Sequence, residues 1–156
     1  MRRRIHIANL HHSYRIDERA IGNIARRVMS LIKREGAAEL EIIFLDDNGI
    51  RKLNRRYKHR DRPTDVLSFR IDRGEFGRKD FLGVIAISAD TARRNAEAFG
   101  TGFPEEVVLY VIHGILHLFG YDDRTPGKRA RMSNKQEEIL RKICSCKNLS
   151  RVLMPR

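Results

Sequence analysis

The stretch Val111-Ile112-His113-Gly114-Ile115-Leu116-His117-Leu118-Phe119-Gly120-Tyr121-Asp122-Asp123 decides how this chain folds. From Val107 to Phe119 apolar residues fall on almost every face of a helix, so the helix is expected to be buried. His113 and His117 interrupt it. At roughly 100° per residue they stand about 40° apart on one face, where two imidazoles can converge on one cation. Gly120 then stops the helix. A glycine accepts the left-handed cap conformation and turns the chain back, bringing Tyr121, Asp122 and Asp123 toward the histidines. Two histidines at helical spacing can also be surface residues or satisfied core residues. Burial in an apolar helix, where imidazoles need partners, together with the glycine stop and the Asp pair, favours a metal site.

The spacing His113-x3-His117-x2-Gly120-x2-Asp123 reproduces the His-x3-His-x2-Gly-x2-His ligand arrangement of certain zinc peptidases, with aspartate in the third place. Three protein ligands and one open position describe a catalytic site better than a structural one. Gly114 stands where His-Glu-x-x-His peptidases carry their glutamate base, which counts against peptide hydrolysis.

The 156 residues suit one domain with a sizeable core. Lys and Arg number 32 against 20 Asp and Glu, a formal charge of +12 that points to a polyanionic partner, nucleic acid before an anionic membrane. No apolar run has the length of a membrane span, and Met1-Arg2-Arg3-Arg4 leads into Ile5 without a secretory h-region, so a cytoplasmic protein is expected. Cys144 and Cys146 are the only cysteines and are expected to stay reduced.

Working outward, residues 4–10 and 39–45 read as strands. Asp17 starts a helix whose apolar stripe is Ile21, Ile24, Ala25, Val28, Leu31 and Ile32, with Gly36 placed to end it. Asp46-Asp47-Asn48 caps a short helix with Ile50, Leu53 and Tyr57 on its inner face. A basic loop from Lys58 to Asp65 leads into a strand, residues 71–80 read as a loop, and Phe81 to Ser88 is another strand, with Ser88 capping a helix through about Phe99. Pro104 starts the histidine helix, and Thr125-Pro126 opens a last helix with Met132, Ile139, Leu140 and Ile143 inside. The expected fold is α+β: a single domain over 1–147 with a small mixed β-sheet packed against several α-helices, the metal site at the end of the buried helix, and a polar basic tail over 148–156 that frays.

Three blocks resemble the YbeY-type endoribonucleases. The family pattern His-Gly-x-Leu-His-Leu-x-Gly-Tyr-Asp-His lies on His113 to Asp123, Pro-Thr-Asp-Val-Leu-Ser-Phe is verbatim at Pro63 to Phe69, and Leu-Gly-x-Ile-x-Ile-Ser lies on Leu82 to Ser88. The resemblance covers about residues 5 to 145 and implies a zinc-bound hydrolase, a single-strand-specific endoribonuclease in ribosomal RNA maturation and ribosome quality control. Its implied partners are single-stranded RNA, ribosomal RNA and the small ribosomal subunit or its proteins. Three departures stand out: Asp123 replaces the family's third histidine, Tyr57-Lys58 its tyrosine-arginine pair, and Val84 the aspartate of its Leu-Gly-Asp. An aspartate ligand adds negative charge, so manganese or another divalent ion competes better with zinc. Lysine keeps the cation but loses the bidentate fork.

The expected chemistry is metal-assisted hydrolysis of a phosphodiester. His113, His117 and Asp123 are the candidate metal ligands, His113 and His117 thereby belong to the catalytic set, and Lys58, with Arg55 or Arg60 as alternates, is the candidate stabiliser of charge on the phosphoryl group. The proton acceptor stays open between Asp65 and the substrate phosphate. Basic runs at 51–62 and along the last helix fit an RNA groove or an ordinary solvated face; with the +12 excess, RNA is favoured. Pro63 and Thr64 fit strand entry and a substrate role equally. His6, His11, His12 and His59 read as surface or strand residues. Two other classes remain: a ribosome assembly factor with a structural or vestigial metal, which Asp123 and Lys58 favour, and a metallopeptidase, which Gly114 disfavours.

Overall fold

A computed structural model describes residues 3–32, 39–72, 77, 80–146, 149 and 153–155. The elements run β1 (Arg4–Asn9), β2 (Tyr14–Ile16), α1 (Glu18–Ile32), β3 (Glu39–Leu45), α2 (Asp47–Lys58), β4 (Val66–Arg70), β5 (Phe81–Ser88), α3 (Ala89–Phe99), α4 (Phe103–Leu118), α5 (Pro126–Cys146) and β6 (Leu153–Pro155). The expected α+β class stands.

One sheet has the order β1-β3-β5-β4. β1, β3 and β5 are parallel, and β4 turns back antiparallel onto β5 as the edge strand. β3 shows why: Leu40, Ile42 and Phe44 are fully buried on one face, while the residues between them are half-buried under thinner cover. The large face, with Ile85 and Ile87 of β5, packs with α1, α4 and α5 in the main core. On the other face Leu67 and Ala86 meet Ile50 of α2 in a smaller cluster.

α4 is buried nearly all round because it touches β4, β5, α1, α3 and α5. Its approach to the sheet depends on Gly114: a Cβ there would stand 2.6 Å from Ile85 Cγ2. Gly83 permits a second close approach. It has φ +152°, and a Cβ would stand 2.2 Å from the Phe69 carbonyl oxygen. No described helix is long and apolar enough to cross a membrane.

The caps follow the sequence. Asp17 Oδ1 accepts from Ala20 N–H at 2.9 Å, Asp46 Oδ1 from Gly49 N–H at 2.7 Å and Ser88 Oγ from Thr91 N–H at 3.1 Å. Five expectations need correction or fall outside the structure. Tyr57, expected on the inner face of α2, is 52% exposed: it lies in the last turn of the helix, where its ring only leans edge-on against Phe69 at 5.2 Å. His11, expected as a surface or strand residue, is instead buried just after β1: Nε2–H donates to Asp90 Oδ1 at 2.7 Å and Nδ1 accepts from Ser13 N–H at 3.1 Å. Asp90 in turn accepts from Asp47 N–H at 2.9 Å, which ties the starts of α2 and α3 to the chain after β1. The tail does not simply fray, since Leu149 is buried in the core and β6 pairs antiparallel with β2, a strand too short to carry a period of its own. Gly36 and most of the 71–80 loop lie outside the described residues.

Candidate metal centre

α4 ends as its sequence dictates. Gly120 takes φ 92°, its N–H donates to His117 C=O at 2.9 Å, and Tyr121 N–H donates to Leu116 C=O at 3.0 Å. This is the paired Schellman closure, and it folds residues 121–123 back over the last helical turn. The turn sorts the Asp pair. Asp122 accepts from Arg124 N–H at 3.0 Å, from the Arg124 guanidinium at 2.9 Å and from Lys128 at 3.4 Å. The Arg124 backbone bond, ahead of the neighbouring cations, brings its carboxyl down to about 2. Asp123 goes the other way, with Oδ2 3.7 Å from His117 Nε2.

His113 Nε2 and His117 Nε2 stand 3.1 Å apart, their rings at 74°. His113, His117 and Asp123 each offer a ligand atom, and these atoms lie within 4.8 Å of one another. The set fits a divalent ion: two nitrogens each about 2.0–2.1 Å from a tetrahedral centre would lie about 3.3 Å apart. Burial first, then the neighbouring His113, lowers the pKa of His117, while Asp123 pulls the other way. The net shift favours the neutral imidazole that a metal requires.

Sequence reasoning missed Gln136. Its Oε1 lies 2.8 Å from His113 Nδ1, so Nδ1–H donates outward and the lone pair of Nε2 is left facing His117 and Asp123. Gln136 sits on α5, 23 residues further along, where no local spacing marks it. Replacing it with leucine is expected to weaken metal binding about 10- to 100-fold, with Gln136→Glu retaining it, as read by competition with a chromogenic chelator. Equal affinity in Gln136→Leu and wild type would remove Gln136 from the site.

The three ligand groups line a cleft of about 560 Å³ between α4 and the edge strand β4. Lys58, Arg60, Arg62, Arg70 and Arg124 also line it, so the rim is cationic. Arg55 is not among the lining residues; of the two alternates to Lys58, only Arg60 reaches the cleft. Lys58 is exposed at the end of α2, and the next residue, His59, takes a left-handed conformation with φ 56°. Asn54, buried and unnoticed in the sequence, fixes this loop: Nδ2–H donates to Arg62 C=O at 2.9 Å, and its own C=O accepts from Arg60 N–H at 3.3 Å. Thr64 and Asp65 line the cleft too, with Asp65 Oδ1 accepting from Thr64 Oγ1–H at 3.2 Å and from Val66 N–H at 2.8 Å. A second hollow, about 600 Å³, continues past Lys58, His117 and Asp123 toward Tyr121, Lys128 and Arg131.

Gly114 faces away from this cleft, into Ile85. A glutamate base at that position has no room.

The family model described as Endoribonuclease YbeY matches residues 6–144. The chain is 39% identical to Endoribonuclease YbeY of Geobacter metallireducens over 140 residues, covering 87% of this chain and 93% of that protein. It is 37% identical to Endoribonuclease YbeY of Pelotomaculum thermopropionicum over 144 residues, covering 88% and 95%. Among solved structures, a solution structure of a Thermotoga maritima protein superposes with a TM-score of 0.60 at 26% identity, covering 90% of this chain and 92% of that one.

Proposed function

Because the chain belongs to the YbeY endoribonuclease family, we propose that it is a metal-dependent endoribonuclease that cuts single-stranded RNA in the cytoplasm, in ribosomal RNA maturation and ribosome quality control. The observation that carries this reading is the convergence of His113, His117 and Asp123 in a cleft rimmed by cations. A divalent ion held by these groups supplies Lewis acidity at the phosphodiester. Zinc suits the two imidazoles, and the Asp123 carboxylate makes manganese a closer competitor. Gln136 orients His113. Lys58 stabilises charge on the phosphoryl group, with Arg60 beside it. Asp65 or the substrate phosphate takes the proton. The cationic rim fits a polyanion, and ribosomal RNA with the small subunit or its proteins is the partner that the family resemblance implies.

The second reading is a ribosome assembly factor with a structural or vestigial metal, which the aspartate at 123 and the lysine at 58 favour. Cleavage by the wild-type protein separates the two, and Lys58 tests the mechanism. In an enzyme, Lys58→Ala should lower cleavage of a single-stranded RNA by about tenfold or more and reduce the salt slope of binding by about one, with Lys58→Arg restoring the rate. Cleavage absent from wild type while RNA stays bound would favour the assembly factor, whereas cleavage unmoved by Lys58→Ala would remove Lys58 from the reaction.

A further inference from the structure

β4 is the edge of its sheet, and among the described residues no strand lies on its outer side. Its register with β5 says which backbone groups face outward. Val66, Ser68 and Arg70 stand opposite Ile87, Ile85 and Gly83. Just outside the paired segment, Asp65 C=O accepts from Ser88 N–H at 2.9 Å and Ile71 N–H donates to Leu82 C=O at 3.2 Å. The odd-numbered residues therefore bond to β5, and the even-numbered ones turn their N–H and C=O groups to the free edge, as antiparallel alternation requires. Val66 N–H agrees, since it donates to the Asp65 carboxylate and not to the ladder. That leaves Val66 C=O, Ser68 N–H, Ser68 C=O and Arg70 N–H along the outer edge.

This edge faces the cleft. Val66, Ser68 and Arg70 line the same space as His113, His117 and Asp123. Ser68 Oγ–H reaches across to Gly114 C=O at 3.3 Å, which fixes β4 against the histidine helix. The nearby cations, Lys58 and Arg124, suit a polyanion better than a peptide strand.

We propose that the outer edge of β4 recognises the ribose 2′-hydroxyls of the substrate and so selects RNA over DNA, an inference that rests on reading this cleft as the RNA site. The edge offers both donors and acceptors. A 2′-hydroxyl is both, whereas a phosphate oxygen only accepts and a deoxyribose offers nothing there. The spacing agrees as well. Equivalent groups recur every second residue, about 6.8 Å along an antiparallel strand, close to the step of one nucleotide in an extended single strand. Cations alone would hold RNA and DNA equally.

The test uses RNA and DNA of one sequence as competitors for cleavage of a labelled single-stranded RNA by the metal-loaded protein. In wild type, DNA should compete about tenfold more weakly than RNA. Ser68→Pro removes one outward N–H while leaving the bonds to β5, since proline is tolerated on an edge strand with its nitrogen outward, and Ser68→Ala, which loses only the hydroxyl bond to Gly114, is its control and should keep the preference. The proline variant should weaken RNA about five- to tenfold and DNA less than twofold, collapsing the preference. Circular dichroism checks that the variant folds; if it does not, Arg70→Pro, which removes the other outward N–H, takes its place with the same expected loss of preference. Equal competition by RNA and DNA in wild type overturns the proposal, as does a folded Ser68→Pro protein that keeps the preference, and in both cases the nuclease reading survives. A wild-type protein that cuts no RNA overturns both.

Discussion

His117→Ala should cost more than about a hundredfold in metal affinity and about 10²- to 10⁴-fold in RNA cleavage, while the protein keeps its fold and binds RNA within about threefold of wild type. The effect is local. His117 Nε2 meets His113 Nε2 at 3.1 Å and Asp123 Oδ2 at 3.7 Å, so truncation leaves two ligands where three converged. The packing of α4 rests on other residues, Val111, Ile112, Ile115, Leu116 and Leu118, all buried in the core. Alanine is also a good helix former. The cations on the rim stay, and with them the long-range attraction for RNA. Metal content by mass spectrometry, circular dichroism and RNA binding by fluorescence anisotropy check the three parts. Unchanged cleavage in a variant that has lost its metal would dismiss the ion from the reaction.

Gly114→Glu is expected to be the most destabilising single change in α4, by at least about 3 kcal/mol, which lowers Tm by about 6–12 °C for a domain of this size. A Cβ at this position would meet Ile85 Cγ2 at 2.6 Å and Ile85 Cδ1 at 3.1 Å, and Ile85 is fully buried in the sheet. The helix would have to move off the sheet, and a carboxylate would enter an apolar layer. The gain in helix propensity over glycine, about 1 kcal/mol, does not offset this. The variant should show no peptidase activity, because its carboxylate faces the sheet and not the cleft. A Gly114→Glu protein as stable as wild type by thermal unfolding would contradict the close approach of α4 to Ile85.

These two changes also mark what the sequence could tell. The histidine pair and the glycine stop were legible because helical periodicity and a left-handed cap are local rules, and both operate within Val111 to Asp123. The choice of Asp123 over Asp122 was readable only as a spacing; its physical cause is the Arg124 and Lys128 bonds that hold Asp122 away. Gln136 and Asn54 were not legible. Each acts through a partner on a different segment, and an amide side chain carries no sequence signal of its orientation. Strand order was equally hidden, and with it the fact that β4 is an edge and lines the cleft. In the sequence Gly114 marks only a missing base, whereas the sheet beneath it shows a requirement of packing. His11 failed for the opposite reason: a polar residue near the end of a strand looks exposed, yet Asp90 and Ser13 satisfy both ring nitrogens and let it be buried.

If His113, His117 and Asp123 hold the ion on which RNA cleavage depends, removing it should stop the reaction. The most direct test strips the metal, confirms by mass spectrometry that it is gone, and titrates zinc or manganese back while following cleavage of a single-stranded RNA. Cleavage absent from the stripped protein, rising with added ion and saturating near one equivalent per chain, is the predicted result. Cleavage that persists without metal, or a protein that takes up one equivalent and cuts no RNA, would contradict it.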